Sequence, residues 1–203
     1  MKLYFSPGTC ALADHIVLAW IGKPYEIKKV SREERAQPAF LKLNPAGAVP
    51  VIEENGWVLT QNAAILNYLA DTFPEARLGG DGTPKGRAEV NRWLAFINSD
   101  VHPAFKPLFG SAAFLEDPAL IEKAKSNARS NLRTMFERLD AQLAGREWLV
   151  GSRSIADPYL FVTLRWAKGQ GIDLEGLDNL ERFMKRMNAD AGAQKALAEQ
   201  EAA

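Results

Sequence analysis

Residues 73–83, Phe-Pro-Glu-Ala-Arg-Leu-Gly-Gly-Asp-Gly-Thr, divide a 203-residue chain into two stretches with different hydrophobic patterns. The segment is rich in glycine, proline and charge, the composition of a linker. Before it, short strand-like runs alternate with helical ones; after it, apolar residues recur at helical spacing only. A chain with that switch folds as a small α/β unit followed by an all-α unit. The expected domains are residues 1–78 and 84–203.

In the first stretch, Lys2 to Phe5 reads as a short buried strand, Ser6-Pro7-Gly8-Thr9 as a turn and residues 11–22 as an apolar helix. Residues 25–30 alternate like a strand, 31–37 read as a polar loop, and 38–43 as a short helix. Asn55-Gly56 sits between two strand-like runs, 49–54 and 57–59, and predicts a two-residue hairpin. Residues 61–72 carry Ala64, Ile65, Tyr68 and Leu69 on one stripe. The order βαβ, hairpin, helix builds a mixed sheet with helices packed on it.

In the second stretch, Thr83-Pro84 and Asp117-Pro118 each pair an N-cap with proline at the first helical position. The latter opens a long helix to about residue 143. Ser154-Ile155-Ala156-Asp157 resembles a capping box with Asp in place of Glu or Gln, and Pro158 falls in the first turn. A further helix spans about 177–188. Pro103 lies inside a helix, where its missing N–H bends the chain near residue 99 and tilts Asp100 and His102 toward a cleft.

Twenty-five basic and 25 acidic residues leave no net charge, which argues against nucleic-acid or membrane-surface partners. One cysteine precludes an internal disulfide, and with two histidines no metal cluster is expected. No apolar run approaches membrane-spanning length, and Ser6, Thr9, Asp14 and His15 interrupt any signal-peptide core, so a cytoplasmic protein is expected. Cys10 falls at the start of the first helix, where unpaired N–H groups and the helix dipole favour a thiolate. Its other reading is a buried small hydrophobe. Pro50 marks a strand start, or else a cis bond exposing the Val49 N–H and C=O to a ligand. Thr60-Gln61-Asn62 either caps a helix or holds a ligand carboxylate at its N-terminus. The five tryptophans read as core.

Five segments occur in one order: SPGTC (6–10), NPAGAVPVI (44–52), LTQNAAILNYLAD (59–71), SDVHPAF (99–105) and SIADPYLF (154–161). Together they resemble the bacterial, cysteine-containing (beta) class of glutathione transferases, and the likeness runs through the whole chain. The resemblance implies a homodimer whose subunits carry a thioredoxin-like N-terminal domain and an all-helical C-terminal domain. It implies glutathione as co-substrate, with no metal, and a small hydrophobic electrophile as second substrate. Cys10 would lie against the glutathione sulfur, with His102 as a second catalytic group. Val49, before a cis Pro50, would pair with the cysteinyl backbone, and Gln61 and Asn62 would hold the γ-glutamyl end. Ser99, Asp100 and His102 would line the same cleft, Asp100 reaching the partner subunit's site.

The chain departs from the family pattern at several of these positions. Gln61-Asn62 stands where an acid and a small residue are usual, Phe5 replaces tyrosine, and Ala48 replaces glutamine. Pro103 replaces a lysine and so removes a cation for the glycyl carboxylate, leaving Arg32 or Arg35 as candidates. The expected function is conjugation of the glutathione thiolate to hydrophobic electrophiles. Glutathione-dependent disulfide exchange or peroxide reduction through Cys10, and ligand binding without turnover, are the alternatives.

Overall fold

In the computed structural model, which describes residues 1–203, β1 (Lys2–Phe5), β2 (Glu26–Lys29), β3 (Val51–Glu54) and β4 (Trp57–Thr60) form one sheet in the order β2-β1-β3-β4. β1 and β2 are parallel, so the chain crosses between them through helix α1 (Ala11–Ile21). β1 and β3 are antiparallel, as are β3 and β4. Asn55 and Gly56 take φ of 51° and 81°, the twist that lets β3 return directly as β4 with Ile52 opposite Leu59. Between β2 and β3 lie two short helices, α2 (Arg32–Arg35) and α3 (Pro38–Leu41), and α4 (Asn62–Thr72) then packs against α1.

The helix α2 occupies what reads as a polar loop. Ser31 Oγ accepts from the Glu34 N–H at 3.1 Å while Glu34 Oε2 accepts from the Ser31 N–H at 2.6 Å. This capping box closes a turn in which no residue is buried, so hydrophobic periodicity carries no trace of it.

The second half is helical throughout. It comprises α5 (Pro84–Phe96), a π-helical turn at Ile97–Val101, α6 (His102–Ala104), α7 (Pro118–Gln142), α8 (Ala156–Gly169), α9 (Asp178–Ala189) and α10 (Ala191–Ala202). Thr83 Oγ1 accepts from the Gly86 N–H at 3.0 Å, and Asp117 Oδ1 from the Ala119 N–H at 2.7 Å, the caps expected of both segments. The bend before Pro103 takes the form of the π turn: the His102 N–H reaches back five residues to the Ile97 carbonyl. The fold is therefore a thioredoxin-like domain followed by an all-helical one.

Helix α8 is buried from Ala156 through Leu164 and packs on α1, so one hydrophobic core runs through both halves. Its start differs in one arm from the expected capping box. Asp157 Oδ2 accepts from the Ser154 N–H and from Ser154 Oγ, each at 2.8 Å, and Asp157 Oδ1 from the Leu149 N–H at 3.0 Å. Helix α10, whose buried residues Ala193 and Ala196 make a faint apolar stripe, returns to lie on α1. Of the tryptophans, Trp93 is buried and Trp20, Trp148 and Trp166 are half-buried. Trp57 departs from the core reading: it lies on an outer strand, 47% exposed, with its ring against Tyr68.

Removing the Asp157 carboxylate strands two buried backbone N–H groups. Asp157→Ala is expected to lower unfolding stability by about 3 kcal/mol, against about 1 kcal/mol for Thr83→Ala at an exposed cap, both read from urea midpoints by circular dichroism.

Candidate active site

The turn after β1 is tied at both ends. Ser6 Oγ donates to the Val30 carbonyl at 2.6 Å and Thr9 Oγ1 to the Ser6 carbonyl at 2.7 Å, which delivers Cys10 to the N-cap of α1. Across from it, Asn44 braces the loop that enters β3, donating to the Ala48 carbonyl at 2.7 Å and accepting from the Ala46 N–H at 3.1 Å. That loop ends in a cis Val49–Pro50 bond, with the Val49 carbonyl 4.0 Å from Cys10 Sγ. No backbone–backbone hydrogen bond uses the Val49 N–H or C=O. Gln61, exposed and with φ of 74°, caps α4 at the far end of the same wall.

The helical half closes the other side. His102 of α6 and Lys106 in the turn that follows it face the cavity together with Asn98 and Tyr159. His102 Nδ1 lies 2.5 Å from Tyr159 Oη, much nearer than Asn98 Oδ1 at 3.3 Å, so the single phenol proton has the imidazole nitrogen as its close acceptor. The open cleft between the two halves has a volume of about 270 Å³. Beside it, the Trp166 ring stands edge-on to His102 at 4.7 Å and to Phe109 at 5.3 Å. Trp166 Nε1 donates to the Gly8 carbonyl at 2.8 Å, which ties this aromatic wall to the turn that carries Cys10.

Six of the eight expected site residues meet here: Cys10, Val49, Pro50, Gln61, Asn62 and His102 all line the cavity. Ser99 and Asp100 do not; they sit exposed on the π turn, outside its wall. The Asn62 side chain turns inward, its amide nitrogen donating to Asp14 Oδ2 at 2.7 Å and to the Cys10 carbonyl at 3.3 Å. Arg32 and Arg35, the candidate cations, do not line the cavity, whereas Lys106 does. Asn44, Asn98, Lys106 and Tyr159 were not singled out from the sequence. Lys106 lies in the turn just after α6, four residues beyond His102.

The electrostatics correct the expected thiolate. Burial first, and the Asp14 carboxyl second, push the Cys10 thiol up to about 12, against a smaller downward pull from the Cys10 and Ala11 N–H groups. A helix N-terminus contributes about 1 kcal/mol, or less than one pKa unit, whereas burial shifts such a group by several units. Burial, aided by Lys106, holds His102 below the usual imidazole range. Burial, with Cys10 and Asp14 nearby, holds the Tyr159 phenol far above its usual range. At neutral pH the cavity therefore presents a thiol, a neutral imidazole, a phenol and one ammonium group.

The chain matches family models for the glutathione S-transferase N-terminal domain over residues 1–71 and the glutathione S-transferase C-terminal domain over residues 89–191. It is 57% identical over 198 residues to a glutathione S-transferase of Xanthomonas campestris pv. campestris, covering 97% of each chain. It superposes on a glutathione S-transferase from Xylella fastidiosa with a TM-score of 0.96 at 52% identity, covering 98% of each. It also superposes on a sphingomonad glutathione S-transferase complexed with glutathione, with a TM-score of 0.87 at 35% identity, covering 100% of each.

A thiol so placed reacts slowly. At pH 8, iodoacetamide is expected to alkylate Cys10 in the folded protein about a hundredfold more slowly than in the same protein unfolded by urea, followed by intact mass.

Proposed function

The chain belongs to the glutathione S-transferase family, and from that premise we propose how its site conjugates the glutathione thiolate to hydrophobic electrophiles. The observation that carries the reading is the Val49 backbone, which has no backbone partner and whose carbonyl meets only the Cys10 Sγ at 4.0 Å, in a cleft lined by both halves of the chain. An extended tripeptide pairs with the Val49 N–H and C=O as an added strand, which brings its sulfur to Cys10. Its γ-glutamyl carboxylate takes the free N–H groups at the start of α4. The Gln61 amide accepts from the ammonium in place of the family's usual acid, and Lys106 supplies the cation that Pro103 withholds. Residues 1–78 thus supply the backbone and γ-glutamyl contacts to glutathione, and 84–203 add Lys106 and His102 and form the electrophile side.

The glutathione thiol loses its proton to solvent, and neutral donors hold the thiolate. Cys10 donates its S–H. With Nδ1 accepting from Tyr159, a neutral His102 carries its proton on Nε2 and donates from there. The electrophile lies along Phe109, 50% exposed, and the Trp166 ring that Phe109 meets edge-on. The sulfur–carbon bond forms as the leaving group departs, and proximity supplies much of the acceleration.

The high Cys10 pKa favours conjugation over disulfide exchange, which needs the Cys10 thiolate. Cys10→Ala is accordingly expected to keep conjugation of a chlorodinitrobenzene within about tenfold of the parent while losing the mixed disulfide with oxidised glutathione, seen by mass. No heat of binding at millimolar glutathione would overturn the reading in favour of a binder without turnover.

The protein acts as a cytoplasmic homodimer, supported by the family and by Ser99 and Asp100 standing exposed beside the cleft. Light scattering at micromolar concentration is expected to return twice the 22.4 kDa chain mass.

A further inference from the structure

Below the thiol lies a carboxyl that the mechanism above does not use. Asp14 follows Cys10 by four residues, so the two side chains share one face of α1, and the Asp14 side chain leans toward the N-terminus where Cys10 sits. It is fully buried. The Asn62 amide nitrogen bridges Asp14 Oδ2, at 2.7 Å, and the Cys10 carbonyl, at 3.3 Å, so the carboxyl and the Cys10 backbone are held by one group from α4. Tyr159 of α8 is the other titratable group facing this pair, with His102 behind it. His15, the next residue along, turns away to Glu199 on α10 at 2.7 Å.

We propose that Asp14, clamped by Asn62 one helical turn from Cys10, is a positioning residue that adds to burial in keeping the Cys10 sulfur protonated and so tips the site toward conjugation instead of exchange. The proposal rests on the transferase reading for its consequence, though not for its chemistry. Two anions one turn apart in a buried site exclude each other, so an ionised Asp14 leaves Cys10 as a thiol able to donate to the glutathione sulfur. In the suppressed route, the Cys10 thiolate attacks one sulfur of glutathione disulfide. Its S–S bond breaks, a mixed disulfide forms and one glutathione leaves as thiolate. Burial holds the Asp14 carboxyl well above the ordinary carboxylate range, so the pair loses its first proton there and its second only under strong repulsion.

The test is the rate of Cys10 alkylation by iodoacetamide, without glutathione, from about pH 6 to about pH 10 in the wild type, Asp14→Asn and Asp14→Ser. In each variant the logarithm of the rate is expected to climb in a straight line with pH. The wild type should match the variants at the acid end and fall behind by on the order of tenfold at the alkaline end, once Asp14 is ionised. The mixed disulfide with oxidised glutathione should form faster in the variants by a similar factor. Superimposed profiles from folded proteins overturn the proposal. An unbroken line in the wild type overturns it whether or not either variant folds. Glutathione is absent from the alkylation arm, so failure of conjugation would count against the transferase reading alone.

Discussion

Helix α1 has no solvent face along its first eight residues, Ala11 to Leu18, and the rest of the structure is arranged around that fact. The sheet, α4, α8 and α10 all pack on it. Most of the eight are apolar and need only close packing. Asp14 and His15 are not, and a buried polar group without a partner costs several kcal/mol. Each draws its partner from a different element: Asn62 of α4 for Asp14, and Glu199 of α10 for His15. Glu199 also accepts from Tyr25 at 2.6 Å, so the last helix of the chain is keyed to the beginning of the first domain. The two halves, which obey different folding rules, are held together by what one helix must bury.

The parts of this fold that were legible in the sequence are those decided by neighbours in the chain. Asn55-Gly56 dictates a hairpin, and Thr83-Pro84 and Asp117-Pro118 mark helix starts, because each device acts within three or four residues. The exceptions fail for physical reasons. Helix α2 buries nothing and so carries no apolar period; α10 presents alanines, which add little contrast to an amphipathic pattern. Trp57 looks like core by composition but lies on an outer strand, where one face of the ring stays in water.

The candidate site divides along the same line. Cys10 at a helix start was readable locally, but its charge state was not. It is set by burial under Val49 and the helical domain and by Asp14, whereas the helix dipole is the only part of the balance visible in the segment itself. Lys106 was not legible there: in sequence the positions that point to a cation are Pro103, next to His102, and the distant Arg32 and Arg35, none of which supplies one to the cleft. The turn after α6 brings it back to the cleft, a placement decided by tertiary packing.

The neutrality of the groups around the sulfur explains why Gln61 need not be a defect. Glutathione with its thiol ionised carries two carboxylates, one ammonium and a thiolate, a net charge of about minus two. An acid at position 61 would pair the ammonium but add a third negative charge near that thiolate. With an amide there, the one formal charge among the cavity-lining residues is the Lys106 ammonium, and the starts of α1 and α4 add their unpaired N–H groups. The Lys106 ammonium and these N–H groups favour the ionised glutathione thiol, against the pull of Asp14 beneath Cys10, while Cys10, His102 and Tyr159 supply donors whose own ionisation is suppressed by burial. What is lost in ground-state pairing at the ammonium is offset where the reacting atom sits. Only interactions that act on the thiolate itself, and not on both protonation states alike, raise the fraction of bound glutathione ready to react.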